Sequence, residues 1–175
     1  DYHQTIVMPG VFKMLQLKPG RRVLDLACGQ GVFSRFLFEN KIKPEGLDSS
    51  EELLRMARSR SVKSIRYHLG EAGGSKLLKG QQFDGIACLL ALQNMEKIEP
   101  VFRNVSRWLK PEGKFVMVLT HPCFRIPRQS HWGWDEEKKI EYRRVDRYAN
   151  EIKIPILTPP FVDTANYTVT YHRPL

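Results

Sequence analysis

Three carboxylates mark where this sequence is equipped for chemistry. Asp25 lies in the apolar run RVLDLA (22–27), directly ahead of the small-residue turn Ala27-Cys28-Gly29-Gln30-Gly31. Asp48 ends PEGLD, 23 residues later, and Glu71 closes YHLGE. A buried strand excludes a carboxylate unless something pairs with it. A glycine turn between strand and helix lets backbone N–H groups approach a phosphate, most familiarly as G-x-G-x-x-G. Here Gly29 and Gly31 are present, but Ser34 stands at the third glycine position. Two unit charges ~6 Å apart at an effective dielectric of ~20 repel by roughly 3 kcal/mol. Asp25 therefore disfavours a diphosphate at this turn and favours a cationic ligand, while the turn's own amides can offset its burial. Asp48 is close to the ~20-residue offset of ribose-binding acids; its alternative is a plain helix N-cap. Glu71 is otherwise a solvated loop acid, and Cys28 a small packing residue.

A second group of candidates follows the last apolar strand. His121 in THPCFR is a candidate catalytic base or substrate hydrogen-bonder, or a residue that orders the turn before Pro122. Gln93 and Asn94, just past an apolar run, are site residues or ordinary caps. SHWGWDE offers His131, Trp132 and Trp134, as a wall for a planar or apolar substrate or as pins for a long loop. EYRRVDRY sets Arg143, Arg144 and Arg147 beside two tyrosines, which can hold a carboxylate, a phosphate or a stacked base, or form a solvated helix face.

The elements that must position these residues alternate strand and helix. Strands are predicted at 22–27, about 44–48, 64–69, 83–92 and, after a Pro-Gly turn in KPEGKFVMVLT (110–120), through about Thr120, with Leu89, Leu90 and Leu92 core residues first. Helices are predicted at 32–40, from Ser49 or Ser50 with Leu53, Leu54 and Ala57 as its apolar stripe, and at 98–110 with Val101, Val105, Trp108 and Leu109 on one face. This alternation implies βαβ units and a mostly parallel sheet with ligands at the carboxyl ends of the strands. After Thr120 the pattern breaks into a proline- and aromatic-rich region, with short strands predicted at 152–157 and 167–172, read as a lid or substrate platform.

The bulk numbers set bounds. With 175 residues and 42% hydrophobic content the chain suits one globular domain. No apolar run is long enough to span a bilayer, and no cleavable signal pattern begins the chain. Three widely spaced cysteines argue against a disulfide framework or zinc site and fit a reducing, cytoplasmic setting. The net charge of +9 leaves an anionic partner open. Residues 121–166 do not supply it, carrying eight Lys/Arg against seven Asp/Glu. The chain opens on Asp and stops at TYHRPL, which reads as part of a longer protein.

Four segments in order carry a family likeness. VLDLACGQG resembles the first motif of the class I S-adenosylmethionine-dependent methyltransferases, in which an acid precedes Gly-x-Gly-x-Gly; Ala27 replaces the first glycine. EGLDSSEELLRMAR resembles the second motif, which implies that Asp48 takes both ribose hydroxyls, with Ser49 beside it. YHLGEAGG resembles the adenine segment, which implies Glu71 at the adenine amino group with Gly70 and Ala72 flanking, although Asp is more usual there. FDGIACLLALQNMEKIEPVFRNVSRWLKPEGKFVMV is similar to the family's fourth strand, following helix and L-K-P-x-G turn, placing Leu89 and Leu90 at the cofactor's methionine tail.

The resemblance spans residues 21 to 120. It implies a three-layer α/β/α Rossmann-like fold with residues 1–120 as cofactor-binding core. Residues 121–175 would be a substrate-side elaboration of the same domain. YHRPL is similar to a piece that precedes a helix and a final strand pair, so the C-terminal strands are expected to be incomplete. The implied activity is in-line methyl transfer from S-adenosylmethionine, with S-adenosylhomocysteine as product and no metal, to O, N or C of a small molecule. The alternatives are an RNA or protein methyltransferase, a non-catalytic partner subunit and, least favoured, a nicotinamide-dependent oxidoreductase. Nucleic acid is a possible but not favoured partner; oligomeric state is open.

Overall fold

Strand β1 (Arg22–Leu26) is followed by β2 (Lys43–Asp48), β3 (Arg66–Leu69), β4 (Phe83–Leu89) and β5 (Leu109–Val118) in the computed structural model, which describes residues 2–74, 77–123, 126, 128–156 and 168–174. These strands pair in the order β3-β2-β1-β4-β5, every pairing parallel. Val23, Leu24, Leu26, Ile86, Ala87 and Cys88 are all buried. Burial on both faces is why β1 and β4 read as near-continuous apolar runs, with no clean alternation.

The helices are α1 (Met8–Leu15), entered through a π-helical turn at His3–Val7, then α2 (Val32–Glu39), α3 (Glu51–Arg60) and α4 (Glu99–Trp108). From β1 through β2 to β3 the chain steps one way across the sheet; from β4 to β5 it steps the other. Right-handed crossovers then set α2 and α3 on one face and α4 on the opposite face. Met8, Val11 and Leu15 of α1 and Phe33 and Leu37 of α2 pack with Val23, Ala87 and Val116 on the first face. Each such side chain stabilises the fold by about 1.5–3 kcal/mol when fully buried.

Element ends differ from the sequence expectation in physically readable ways. Ser50 caps α3, its Oγ accepting from the Leu53 amide at 3.3 Å. Leu54 and Ala57 are buried, whereas Leu53 lies on the outer side at 37% exposure. β4 stops at Leu89 because Leu90 takes φ 52°; a 3-10 turn, Leu92–Asn94, follows. Leu109 leaves the helical face to begin β5, and the K-P-E-G turn becomes an irregularity inside that strand, with Glu112 at φ 66°. Helix α1 had no sequence expectation.

The chain divides into two compact units, Asp1–Ala91 with Lys97–Val118, and Leu92–Glu96 with Leu119–Leu175. The first holds the parallel sheet. Among the described residues the second holds two antiparallel pairs, β6 (Ser130–Asp135) with β7 (Ile140–Val145), and β8 (Ile152–Ile156) with β9 (Thr168–His172). Strand β7 corrects the helix-face alternative for EYRRVDRY: Arg143 pairs with Trp132, and Tyr142 covers Gly133. Strands β8 and β9 fall at two predicted strands, whose residues 157 and 167 lie outside the described residues. Ile126, Ile154 and His172 of this unit are buried, with His172 Nε2 2.8 Å from the Tyr148 carbonyl. Among the described residues no helix is long and apolar enough to cross a membrane.

Candidate cofactor site

The turn after β1 is built from left-handed backbone. Ala27 has φ 58°, Gly29 φ 54° and Gly31 φ 73°. Ala27 carries a Cβ in this region at a cost of about 1–2 kcal/mol, so the family's glycine position keeps its backbone shape despite the substitution. The Cys28 amide donates to the Leu47 carbonyl at 3.1 Å, tying the turn to the end of β2. The glycines differ in what they permit. A Cβ on Gly31 would overlap the Tyr67 phenol, and one on Gly46 would stand 2.5 Å from the Tyr67 ring. A Cβ on Gly29 would meet nothing within 4 Å. Gly31 and Gly46 are required by packing, whereas Gly29 leaves an open approach to the backbone.

Asp25 lies directly beneath this turn, 2% exposed. Its Oδ2 accepts a hydrogen bond from Ser34 Oγ at 2.6 Å. The residue that breaks the dinucleotide fingerprint is thus the partner of the buried carboxyl. Burial pushes the Asp25 carboxyl up to about 7 despite the Ser34 hydrogen bonds, with Asp48 adding to the rise. Tyr67 hydrogen-bonds the Ser34 side chain and shares a 2.8 Å contact with Ser61 Oγ, so a line of hydroxyls leads away from Asp25. The Cys28 thiol is pushed far up by burial and by Asp25 and Asp48, which removes it as a nucleophile.

Asp48 gathers the neighbouring segments. Its Oδ2 accepts from the Gly29 amide at 2.8 Å and its Oδ1 from the Ser50 amide at 2.9 Å, while its carbonyl accepts from the Gly70 amide at 2.8 Å. It is 9% exposed. The cap on α3 is Ser50, so Asp48 is not a plain N-cap. Gln30 takes Arg35 on its carbonyl at 2.8 Å and Arg60 on its side chain. Ser49 and Glu71 are exposed, Ala72 half-buried. Leu89 and Leu90 are half-buried at the end of β4. Ala27 and Leu90, both left-handed, end the two central strands where the strand order reverses, the place open α/β sheets use for ligands.

The remaining candidates belong to the second unit. Asn94 Oδ1 accepts from Thr170 Oγ1 at 3.0 Å, tying the 3-10 turn, Gln93 included, to β9. His121 Nδ1 accepts from the Cys123 amide at 3.1 Å. This is the turn-ordering arrangement, and it leaves the neutral ring's proton on Nε2. His131 is exposed, and Trp132 and Trp134 project from one side of β6 at 60% and 52% exposure. The Arg143 guanidinium lies 5.2 Å from the Trp132 ring centroid and its Nη2 donates to Ser130 Oγ at 2.9 Å.

Tyr67 and Asn104 are not among the site residues expected from sequence. Asn104 was legible as a polar residue in the apolar face of Val101, Val105 and Trp108, a position that demands hydrogen-bond partners. Tyr67 carried no such signal.

A family model described as a methyltransferase domain matches residues 24–117, from within β1 almost to the end of β5. The crystal structure of an S-adenosylmethionine-dependent methyltransferase from Mesorhizobium loti superposes with a TM-score of 0.76, at 32% identity, covering 95% of this chain and 74% of that one. A demethylmenaquinone methyltransferase of Tropheryma whipplei is 29% identical over 111 residues, 63% of this chain and 46% of its own length. A ubiquinone biosynthesis O-methyltransferase of Idiomarina loihiensis is 31% identical over 98 residues, 54% and 40% respectively. The chain thus spans about half the length or less of these curated relatives. With its five-stranded Rossmann-like sheet and the matched span covering more than half its length, the chain belongs to the methyltransferase-domain family.

Proposed function

We propose that this chain binds S-adenosylmethionine at the carboxyl ends of β1, β2, β3 and β4 and acts as a methyltransferase on a small molecule. The observation that carries this reading is the open approach at Gly29, whose amide is held by Asp48. A carboxylate offers about four lone-pair sites; two amides occupy two of them in Asp48, leaving acceptors for a ribose diol. Glu71, exposed on the next loop, would accept from the adenine amino group. The main chain at Leu89 and Leu90 would line the methionine end, and Asp25, hydrogen-bonded by Ser34, would support the turn from beneath. When bound, S-adenosylmethionine supplies a methyl group on a cationic sulfur. The protein's contribution is alignment of that methyl with the nucleophile.

The acceptor class rests on the two relatives named for quinone biosynthesis and on the exposed Trp132–Trp134 face, which suits a planar ring. Residues 121–175 are read as the acceptor-side elaboration, with His121 near its start. Calorimetric titration with S-adenosylmethionine, S-adenosylhomocysteine and NADH tests the cofactor. Binding in the roughly micromolar range to the first two and none to NADH is expected. Binding of NADH alone overturns the reading.

A further inference from the structure

The segment that follows β3 has little of its own to hold it in shape. β3 is only four residues long, and no helix stands between it and β4 among the described residues. One hydrogen bond inside the loop, together with groups on β2 and α4, fixes it. Its first residue is anchored by the hydrogen bond from the Gly70 amide to the Asp48 carbonyl, 2.8 Å. Its far end is closed by the Gly74 amide on the Glu71 carbonyl, 2.8 Å. A Cβ on Gly73 would stand 3.3 Å from Pro100 Cβ, so the loop lies close against the first turn of α4.

From that helix comes Asn104, 3% exposed among apolar neighbours. Its Nδ2 donates to the Ala72 carbonyl and to the Gly74 carbonyl, each at 3.0 Å. A leucine or valine would fill the same place in the helix face without the penalty of burying an amide. The amide is compensated because both of its hydrogens go to one loop, on either side of Gly73.

We infer that Asn104 is a positioning residue that sets the base preference of the cofactor site by holding the Gly70–Gly74 main chain in one shape. This rests on the S-adenosylmethionine reading above. The edge of adenine presents an amino donor beside a ring-nitrogen acceptor. Hypoxanthine presents the reverse, a carbonyl beside an N–H. The Glu71 carboxylate and the loop amides match adenine only while the loop keeps its shape. Asn104 touches neither base nor reacting atoms and acts through the loop.

The test compares S-adenosylhomocysteine with S-inosylhomocysteine by calorimetry on the wild type and on Asn104→Leu, which preserves apolar packing and removes both donors. The wild type is expected to prefer the adenine compound by at least about tenfold. Asn104→Leu is expected to bring that ratio to about one to two, mainly by weakening the adenine compound. Should Asn104→Leu not fold, Asn104→Ser, with one donor left for two carbonyls, is expected to show an intermediate ratio. A folded variant that keeps the wild-type ratio makes Asn104 a packing residue and overturns the inference. Equal binding of both compounds by the wild type overturns it too, while leaving the cofactor reading intact. No binding of either compound removes the cofactor reading, and this inference with it.

Discussion

A carboxyl group held in a dry pocket by one serine responds to pH in a way that a surface carboxyl does not. Asp25 titrates near 7 in the folded chain against an ordinary value of 3.8. Between those values the folded state holds a proton that the unfolded state has released, so stability falls as pH rises. The Asp25 contribution is complete below about 3.8 and is lost as pH passes through about 7. Asn has the same shape without the charge and can still accept from Ser34. Asp25→Asn should therefore melt at a higher temperature than wild type at pH 8, by an amount on the order of a few kcal/mol in stability. The two proteins should converge toward pH 4. Parallel melting curves across that range would show that Asp25 is solvated or paired with a cation. The oddity of a carboxylate inside RVLDLA was legible from sequence. Its serine partner was not, because the link between positions 25 and 34 depends on how α2 lies over β1.

At the scale of elements, three strands are joined by one acid. Glu45 of β2 takes Arg22 of β1 at 2.5 Å and His68 of β3 at 2.9 Å. These hydrogen bonds, His68 first, hold its carboxyl down to about 2 against the cost of burial. The stabilisation is present above the ordinary value of 4.5 and is lost as pH falls through about 2. Glu45→Gln should cost about 1.5–3 kcal/mol at pH 7, measured by urea denaturation, and the difference should close as pH approaches 2. A gap unchanged at low pH would assign the loss to packing. The strands themselves were largely readable, because buried β1 and β4 are apolar runs and α3 carries its cap and charge signals. Helix α1 was hidden by Pro9 and Gly10, which read as turn residues although Pro9 sits in the first turn, where its missing N–H costs nothing. The β6–β7 hairpin was hidden for another reason. Its apolar residues alternate, Trp132 with Trp134 and Ile140 with Tyr142, but the two pairs lie on opposite faces and all four are exposed, so neither face reads as a buried stripe, and no turn dipeptide marks its bend.

For the whole molecule, the excess of nine positive charges predicts a salt-sensitive polyanion affinity. A short RNA that binds at 50 mM salt should be released by about 200 mM, with no change in S-adenosylhomocysteine affinity, as filter binding and calorimetry would report. Retention at high salt would move the acceptor class toward RNA. The sheet order has a further consequence, in the time during which the protein is made. β1 is the central strand, yet its partner β4 is far along the chain: Val23 pairs with Gly85, 62 residues later. At a synthesis rate of about 5–20 residues per second, the ribosome leaves roughly 3–12 s between them. During that interval one flank of an apolar strand has no neighbour, and β2 can cover only the other. The nascent chain is most exposed to wrong pairing at its very centre, which makes β1 the natural place for a chaperone to hold.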